Sequence, residues 1–458
     1  MSDRAIVIGG GADALVAAHL LGRAGREVVF IEEGNTGDDE GWMPPRIADE
    51  LALKLQQERQ DPWAVAPLPQ GGTLELWRDL GRTVEAIRRV SPRDAASWPQ
   101  FCARMAALAR LFEELYGAAP VNPLNVRLAL RVRRLGRQAM EDLMRLLPMS
   151  VAELLDDWFE CDALKGVLAA MGIVHLQQGP RSAGTAFRLL HHHVGSPRGV
   201  FRPARSNLGT ALRARSGLEL RTGAASRIAV RDGQVTGVVL ASGEELAAPL
   251  VVSGADPRRT LLELVDPGWL DPDFARALGH VRRRGVVARV LFKVAPRARV
   301  VIAPSLDYLE RAYDEVKYGR VSRAPYLEVL STGNGIEAHF QYAPYARADG
   351  AWDAARRQEL GELAHRMLAP HVPGIAAAEA RVLAPPDLET QDGWPEGQAY
   401  HAELALDQAL WMRPLPELAR YRTPIKGLWL CGPGTHPGGG VAGASGRNCA
   451  REILRGAG

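Results

Sequence analysis

Residues 5–33, AIVIGGGADALVAAHLLGRAGREVVFIEE, constrain the fold more than any other stretch, because they read as strand, glycine turn, helix and second strand in immediate succession. Ala5, Ile6, Val7 and Ile8 make a short apolar run suited to a parallel strand buried on both faces. Gly9, Gly10 and Gly11 form a turn whose backbone can approach a pyrophosphate, and Ala14 takes the third small position of G-x-G-x-x-G/A. A helix over residues 13–24 then aims its free N–H groups and positive dipole end at the phosphates. Gly25 ends it. Val28, Val29, Phe30 and Ile31 form the second strand, and Glu32, 23 residues beyond Gly9, stands where a carboxylate accepts hydrogen bonds from both hydroxyls of an adenosine ribose. An acid there favours FAD or NAD over NADP, whose extra phosphate it repels. FAD is the expected dinucleotide, since the motif lies near the start of a long chain. The alternative, an ordinary βαβ unit with a tight glycine turn, leaves the position of Glu32 to chance.

The 458 residues exceed one core and suit two or three domains, and 47% hydrophobic with 24% charged residues fits a globular protein. A formal net charge of +3 is too small to suggest a nucleic-acid groove, so no nucleic-acid partner is expected. Cys102, Cys161, Cys431 and Cys449 lack metal-ligand spacing, so they are expected as small buried hydrophobes in a reducing cytoplasm, with no metal site. No apolar run reaches the roughly 18–20 residues of a membrane span. The expected location is cytoplasmic; a peripheral membrane contact and a homodimer or partner protein stay open.

Residues 46–59 read as helical, and from Leu74 to Leu176 the 3.6-residue period dominates, first through Leu76, Leu80, Val84 and Ile87, then through Phe101, Met105, Leu108 and Phe112. This is expected as a helical insertion. Ser150 and Glu153 form a capping box that starts one of its helices. The basic run 127–137 reads as a solvated amphipathic face. Residues 179–193, GPRSAGTAFRLLHHH, predict a turn and a helix whose three adjacent histidines point in different directions and cannot share one metal. Residues 225–230 and 235–240 flank Asp232-Gly233 as a β-meander that returns, through Val251 and Val252, to the parallel sheet. Alternation from Val286 onward, and a hairpin of runs 326–330 and 336–342, predict a second sheet.

The C-terminal stretch 427–454, GLWLCGPGTHPGGGVAGASGRNCAREIL, repeats the logic of the beginning: a strand, a run of glycines and a last helix. Its N–H donors and dipole end suit the ring of a flavin, where reduction places negative charge. The alternative is a loop that merely lets the last helix pack closely. This stretch, together with VVSGADPRRT at 251–260 and WPEGQAYHAELALDQALWMRP at 394–414, resembles the phytoene desaturase-like FAD oxidoreductases, within the amine oxidase and GDP dissociation inhibitor superfamily. The resemblance implies an α/β fold: a discontinuous Rossmann-type FAD-binding domain (1–73, 201–265 and 421–458) with an inserted α+β substrate domain made of a helical part (74–200) and a mixed sheet with helices (266–420). It implies that Gly9, Gly11, Ala14 and Glu32 hold the ADP half of FAD, that Ser226 lies near the adenine, and that Gly434, Gly440 and Val441 lie near the ribitol and ring. The glycine pair that follows the ribose acid in the family is not recognisable in residues 34–41. A GGMG-like turn is replaced by Arg205-Ser206-Asn207-Leu208-Gly209, and the loop after Leu330 is short.

The expected activity is hydride transfer from a C–H bond of a largely apolar small molecule to flavin N5, as desaturation or isomerisation, with substrate entering between residues 74–176 and the sheet 286–342. His436, beside the glycine turn, is the first candidate for acid–base help and His401 the second; either histidine also suits a structural role. The competing reading is a non-catalytic binding or escort protein on the same fold.

Overall fold

The computed structural model describes residues 3–33, 39–58, 60–120, 136–202, 204–215, 217–295 and 298–456. A five-stranded parallel sheet has the order Leu428–Leu430, Leu250–Ser253, Arg4–Ile8, Glu27–Glu32, Glu219–Thr222. Ala5, Ile6, Val7 and Ile8 have no exposed surface, as a strand covered on both faces requires. One face carries the helices Ala12–Arg23 and Ala444–Arg455, which touch so closely that a Cβ on Gly446 would lie 1.8 Å from the Asp13 carbonyl oxygen. The other face is covered by the expected meander, Ala225–Arg231, Gln234–Leu240 and Glu245–Ala247. Its Asp232-Gly233 turn is left-handed at both residues, the conformation that matches the twist of the flanking strands.

The second sheet has seven strands in the order Ala380–Leu383, Val287–Phe292, Gly335–Gln341, Leu327–Thr332, Val300–Ile302, Ala64–Pro67, Thr73–Leu76. The expected hairpin is present within it. Two readings are corrected here. Leu74 and Leu76 belong to an edge strand with alternating burial, so helix begins only at Leu80, and residues 64–76 join the second sheet through the parallel pairing of Val65 with Val300. The helix expected over 46–59 spans only Pro45–Leu51, because Ala52 turns left-handed and Gln57–Glu58 pairs with Arg205–Ser206.

The helical insertion runs through Leu80–Arg88, Pro92–Tyr116, Arg137–Leu146, Val151–Asp156 and Asp162–Ile173. The capping box at Ser150 and Glu153 is formed, and the buried Asp94 carboxylate accepts the N–H groups of Glu160 and Cys161, tying the start of one helix to the approach of another. Residues 127–135 of the basic run lie outside the described residues. Cys102, Cys431 and Cys449 are buried and Cys161 half-buried. Among the described residues no helix is long and apolar enough to cross a membrane.

Candidate functional site

A cavity of about 1210 Å³ runs from the N-terminal glycine turn, past the C-terminal one, to the second sheet. At its nucleotide end Gly9, Gly11 and Ala14 form the wall. Gly9 has φ +143°, and a Cβ there would lie 3.1 Å from the Ala14 Cβ, so this position favours glycine, and the three glycines of the turn leave bare backbone facing the cavity. Glu32 lies beside it: its Oε1 accepts a 2.8 Å hydrogen bond from Arg213 Nε, while Arg213 Nη2 donates to the Gly10 carbonyl at 2.8 Å. One guanidinium thus fixes both Glu32 and the turn. Glu33 accepts from the Ala225 N–H and from Arg259 at 2.7 Å, anchoring the strand end.

Ser226 lies elsewhere. Its hydroxyl donates to the Val239 and Leu240 carbonyls of the neighbouring meander strand, and Thr222, Gly223 and Ala224 form this part of the wall instead. The chain has already turned into the meander at Ala225, so the serine is one strand too far along.

At the other glycine turn, Gly440 and Val441 line the cavity and pair in parallel with Gly41 and Trp42. A Cβ on Gly41, at φ +136°, would lie 2.2 Å from the Gly440 carbonyl oxygen. Gly41 therefore lets its strand lie directly against the second glycine turn although no glycine pair is recognisable around it; residues 34–38 are outside the described residues. Gly434 supports the wall from behind, with Pro257 and His401 packed against its Cα.

The two histidines part company. His436 is buried beneath the wall, its Nε2 3.3 Å from the Leu115 carbonyl and its ring edge-on to Tyr116, and burial pushes its pKa down to about 4. Its backbone turn aims it at the helix Pro92–Tyr116. His401 lines the cavity, and its Nδ1 has no hydrogen-bond partner among the described residues. Burial, and then Arg413, Arg259 and Arg283, lower its pKa to about 3, so at neutral pH it accepts or donates a hydrogen bond as a neutral imidazole. The three adjacent histidines diverge as expected: His191 bridges the Tyr116 hydroxyl and the Gly439 carbonyl, and His193 bonds the Val200 carbonyl and stacks on Phe201.

The second sheet contributes a charged wall that the sequence reading missed. Arg289 contacts Glu337 at 3.4 Å and Asp392, and lies over the Trp394 ring; His339 Nε2 donates to Glu337 Oε1 at 2.6 Å. Burial raises the Glu337 pKa, but His339 and Arg289 outweigh it and hold the carboxyl at about 2. Cross-strand register places Arg289 opposite His339 and Leu291 opposite Glu337. The available signal was a charged residue at alternate positions of otherwise apolar strands. The expected entry between residues 74–176 and this sheet is not where this cavity runs: among the described residues of that segment only His175 lines it, because the helices bury their apolar faces in a core of their own.

Replacing Glu32 with Gln is expected to weaken dinucleotide binding by about 1–3 kcal/mol, since a charged acceptor of two hydroxyl bonds is lost. Calorimetric titration with FAD and with ADP should show the same loss for both; unchanged affinity would remove Glu32 from the ribose site.

A bare-backbone turn with Glu32 beside it at one end of a cavity, a second glycine turn along it and the seven-stranded sheet at the far end make up the frame of a flavoprotein oxidoreductase. The chain belongs to the flavin containing amine oxidoreductase family, whose model matches residues 45–454, and its cofactor is FAD. It is 28% identical over 541 residues to pyridine nucleotide-disulfide oxidoreductase domain-containing protein 2 of Rattus norvegicus, covering 98% of this chain and 93% of that one. A neurosporene-forming phytoene desaturase of Cereibacter sphaeroides is 24% identical, covering 97% and 93%. A solved structure of putrescine oxidase bound to putrescine superposes with a TM-score of 0.59 at 17% identity, covering 99% of both chains, which shows the shared fold. The residues present fit FAD: Gly9, Gly10 and Gly11 bring bare backbone to one end of the cavity with the Glu32 carboxylate beside them, and Gly439 and Gly440, which line its other glycine turn, are packed too closely against Tyr400, His191 and His192 to carry side chains.

Proposed function

We propose that this oxidoreductase removes hydride from a C–H bond of a largely apolar substrate that carries one polar group, as a desaturation or isomerisation. Bound FAD supplies the hydride acceptor. The observation that carries the reading is the continuity of one cavity from the nucleotide cradle to the substrate sheet. Gly9, Gly11, Ala14 and Glu32 hold the ADP half, and Gly41, Gly440 and Val441 support the ring. Tyr400, Trp394 and Pro395 offer the substrate an apolar wall, and Arg289, Glu337 and His339 receive its polar group. His401, neutral and with one nitrogen unsatisfied, orients substrate by a hydrogen bond. In this way the protein supplies alignment, and the cofactor does the redox chemistry.

Anaerobic mixing of the FAD-loaded protein with a panel of unsaturated hydrocarbons, with and without a terminal hydroxyl, carboxylate or amine, tests this. Bleaching of the flavin absorbance by members bearing the polar group is expected. Bleaching by the bare hydrocarbons alone would remove the charged wall from substrate recognition. FAD bound no more tightly than ADP would show that the ring site is absent.

A further inference from the structure

Among the described residues five arginines are buried, and they divide sharply by partner. Arg202 and Arg299 share the Glu328 carboxylate, and Arg447 forks onto Glu50. Arg188 and Arg413, both with no exposed surface, meet no carboxylate among the described residues. Arg413 donates to backbone carbonyls, those of Tyr400 at 2.8 Å and Ala402 at 3.1 Å among them. Arg188 donates to the Val174 carbonyl at 2.6 Å and lies over the Tyr400 ring, 5.2 Å from its centroid; its Nε and Nη1 have no hydrogen-bond partner among the described residues.

Both guanidinium groups converge on Tyr400, and Tyr400 is cavity wall. Its ring packs against Gly439 so closely that a Cβ there would lie 1.8 Å away, and Arg413 Nε is 3.1 Å from where Gly438 would carry one. The two charges therefore stand one residue layer behind the glycine turn at the flavin side of the cavity. The histidines of that layer do not add to them: burial, and then Arg188, drive the His191 pKa down to about 3 and hold that of His192 well below its ordinary value. A buried charge without a counter-charge is among the least favourable things a fold can hold. Two of them, side by side behind one wall, call for an anion on the other side of it.

We infer that Arg188 and Arg413 set a positive field behind the turn at Gly438, Gly439 and Gly440, whose counter-charge is the negative charge a bound flavin ring acquires on reduction. The inference rests on the proposed flavin function and adds a purpose for two arginines that neither bind substrate nor touch the cavity. They are positioning residues acting through the wall, and they make the bound flavin a stronger electron acceptor.

Sulfite is the probe. Its electron pair forms an S–N5 bond to the oxidised ring, and the ring takes up the negative charge at N1 and the C2 carbonyl, with no other reagent consumed. A unit charge about 10 Å from another, at an effective dielectric constant of about 20, shifts an equilibrium by roughly tenfold. The FAD-loaded protein is therefore expected to bind sulfite more tightly than free FAD does. Arg188→Met should weaken sulfite binding by about tenfold and lower the flavin reduction potential, whereas Arg188→Lys, which keeps the charge, should stay close to the parent. Thermal unfolding of Arg188→Met is expected at a temperature no lower than that of the parent, because an uncompensated buried charge is gone; a merely structural arginine would show the opposite. Parent protein that binds sulfite no better than free FAD overturns the inference, whatever the variants do. So does Arg188→Met that retains FAD with unchanged sulfite affinity. Parent protein that binds no FAD overturns the proposed function itself, and the inference with it.

Discussion

Acidification from pH 7.5 to about 5 is expected to unfold this protein, well before its carboxylates are protonated. His191, His192, His193 and His436 are buried and His401 is half-buried at the cavity wall; burial lowers the pKa of each, to about 3 for His191 and His401, to about 4 for His193 and His436, and well below the ordinary value for His192. Above pH 6.5 these imidazoles are neutral in both the folded and the unfolded chain, so they bias neither. Below it the unfolded chain binds protons that the folded one refuses, and stability falls with pH until the folded values near 3–4 are reached. Each such histidine removes about 1.4 kcal/mol per pH unit in that window. Five remove about 7 kcal/mol per unit, against a total stability on the order of 5–15 kcal/mol. Denaturant titrations at pH 7.5 and 5.5, followed by tryptophan fluorescence, measure the loss directly. An unchanged denaturation midpoint would mean that these histidines are solvated or already charged in the native protein, and the closed layer around the glycine turns would have to be redrawn.

What the sequence disclosed was local. The strand, turn and helix of residues 5–33, the capping box at Ser150 and the Asp232-Gly233 turn each follow from residues within a few positions of one another, and each is present. What it hid was pairing at a distance. Gly41 looks like any loop glycine until Gly440, some four hundred residues on, is laid against it. The edge strand at Leu74 and Leu76 has two apolar positions that fit a helical period as well as an alternating one, and its place in the second sheet, through Ala64–Pro67 paired beside Val300, decides between them. The candidate site divides the same way. The position of Glu32 beside the glycine turn was legible because its spacing from Gly9 is set by one βαβ unit. His436 was misread because adjacency to a glycine turn says nothing about which side of the wall a ring will face. Arg289, Glu337, His339 and Asp392 come from three elements, so alternation marked single charged positions on the strands but no spacing could announce that they meet.

Arg413→Met is expected to leave little soluble protein, and the reason separates this residue from its neighbour Arg188. The Arg413 guanidinium donates to the carbonyls of Tyr400, Ala402, Glu403, Gln408, Pro433 and Thr435, joining the segment that carries His401 to the glycine turn that ends in Val441. The Glu403 carbonyl keeps a hydrogen bond from Gln408 Nε2, and orphaning a buried carbonyl costs about 1–3 kcal/mol, so the other five amount to about 5–15 kcal/mol. Removing an uncompensated buried charge returns several kcal/mol of that, which leaves a net loss comparable with the whole stability of a domain. Arg188, with one carbonyl partner, lacks the larger opposing contribution, and the sign of its replacement reverses. Arg413→Lys should rescue little, since an ammonium has three donors on one atom and cannot span carbonyls arranged around a planar fork. Soluble yield and denaturant midpoint of the two variants are the measurements. A midpoint for Arg413→Met within about 1 kcal/mol of the parent would show that water or other donors satisfy those carbonyls. If Arg413→Met is instead recovered folded in small amount, it should be free of FAD, because the two segments that Arg413 joins line the cavity on the side proposed for the flavin ring.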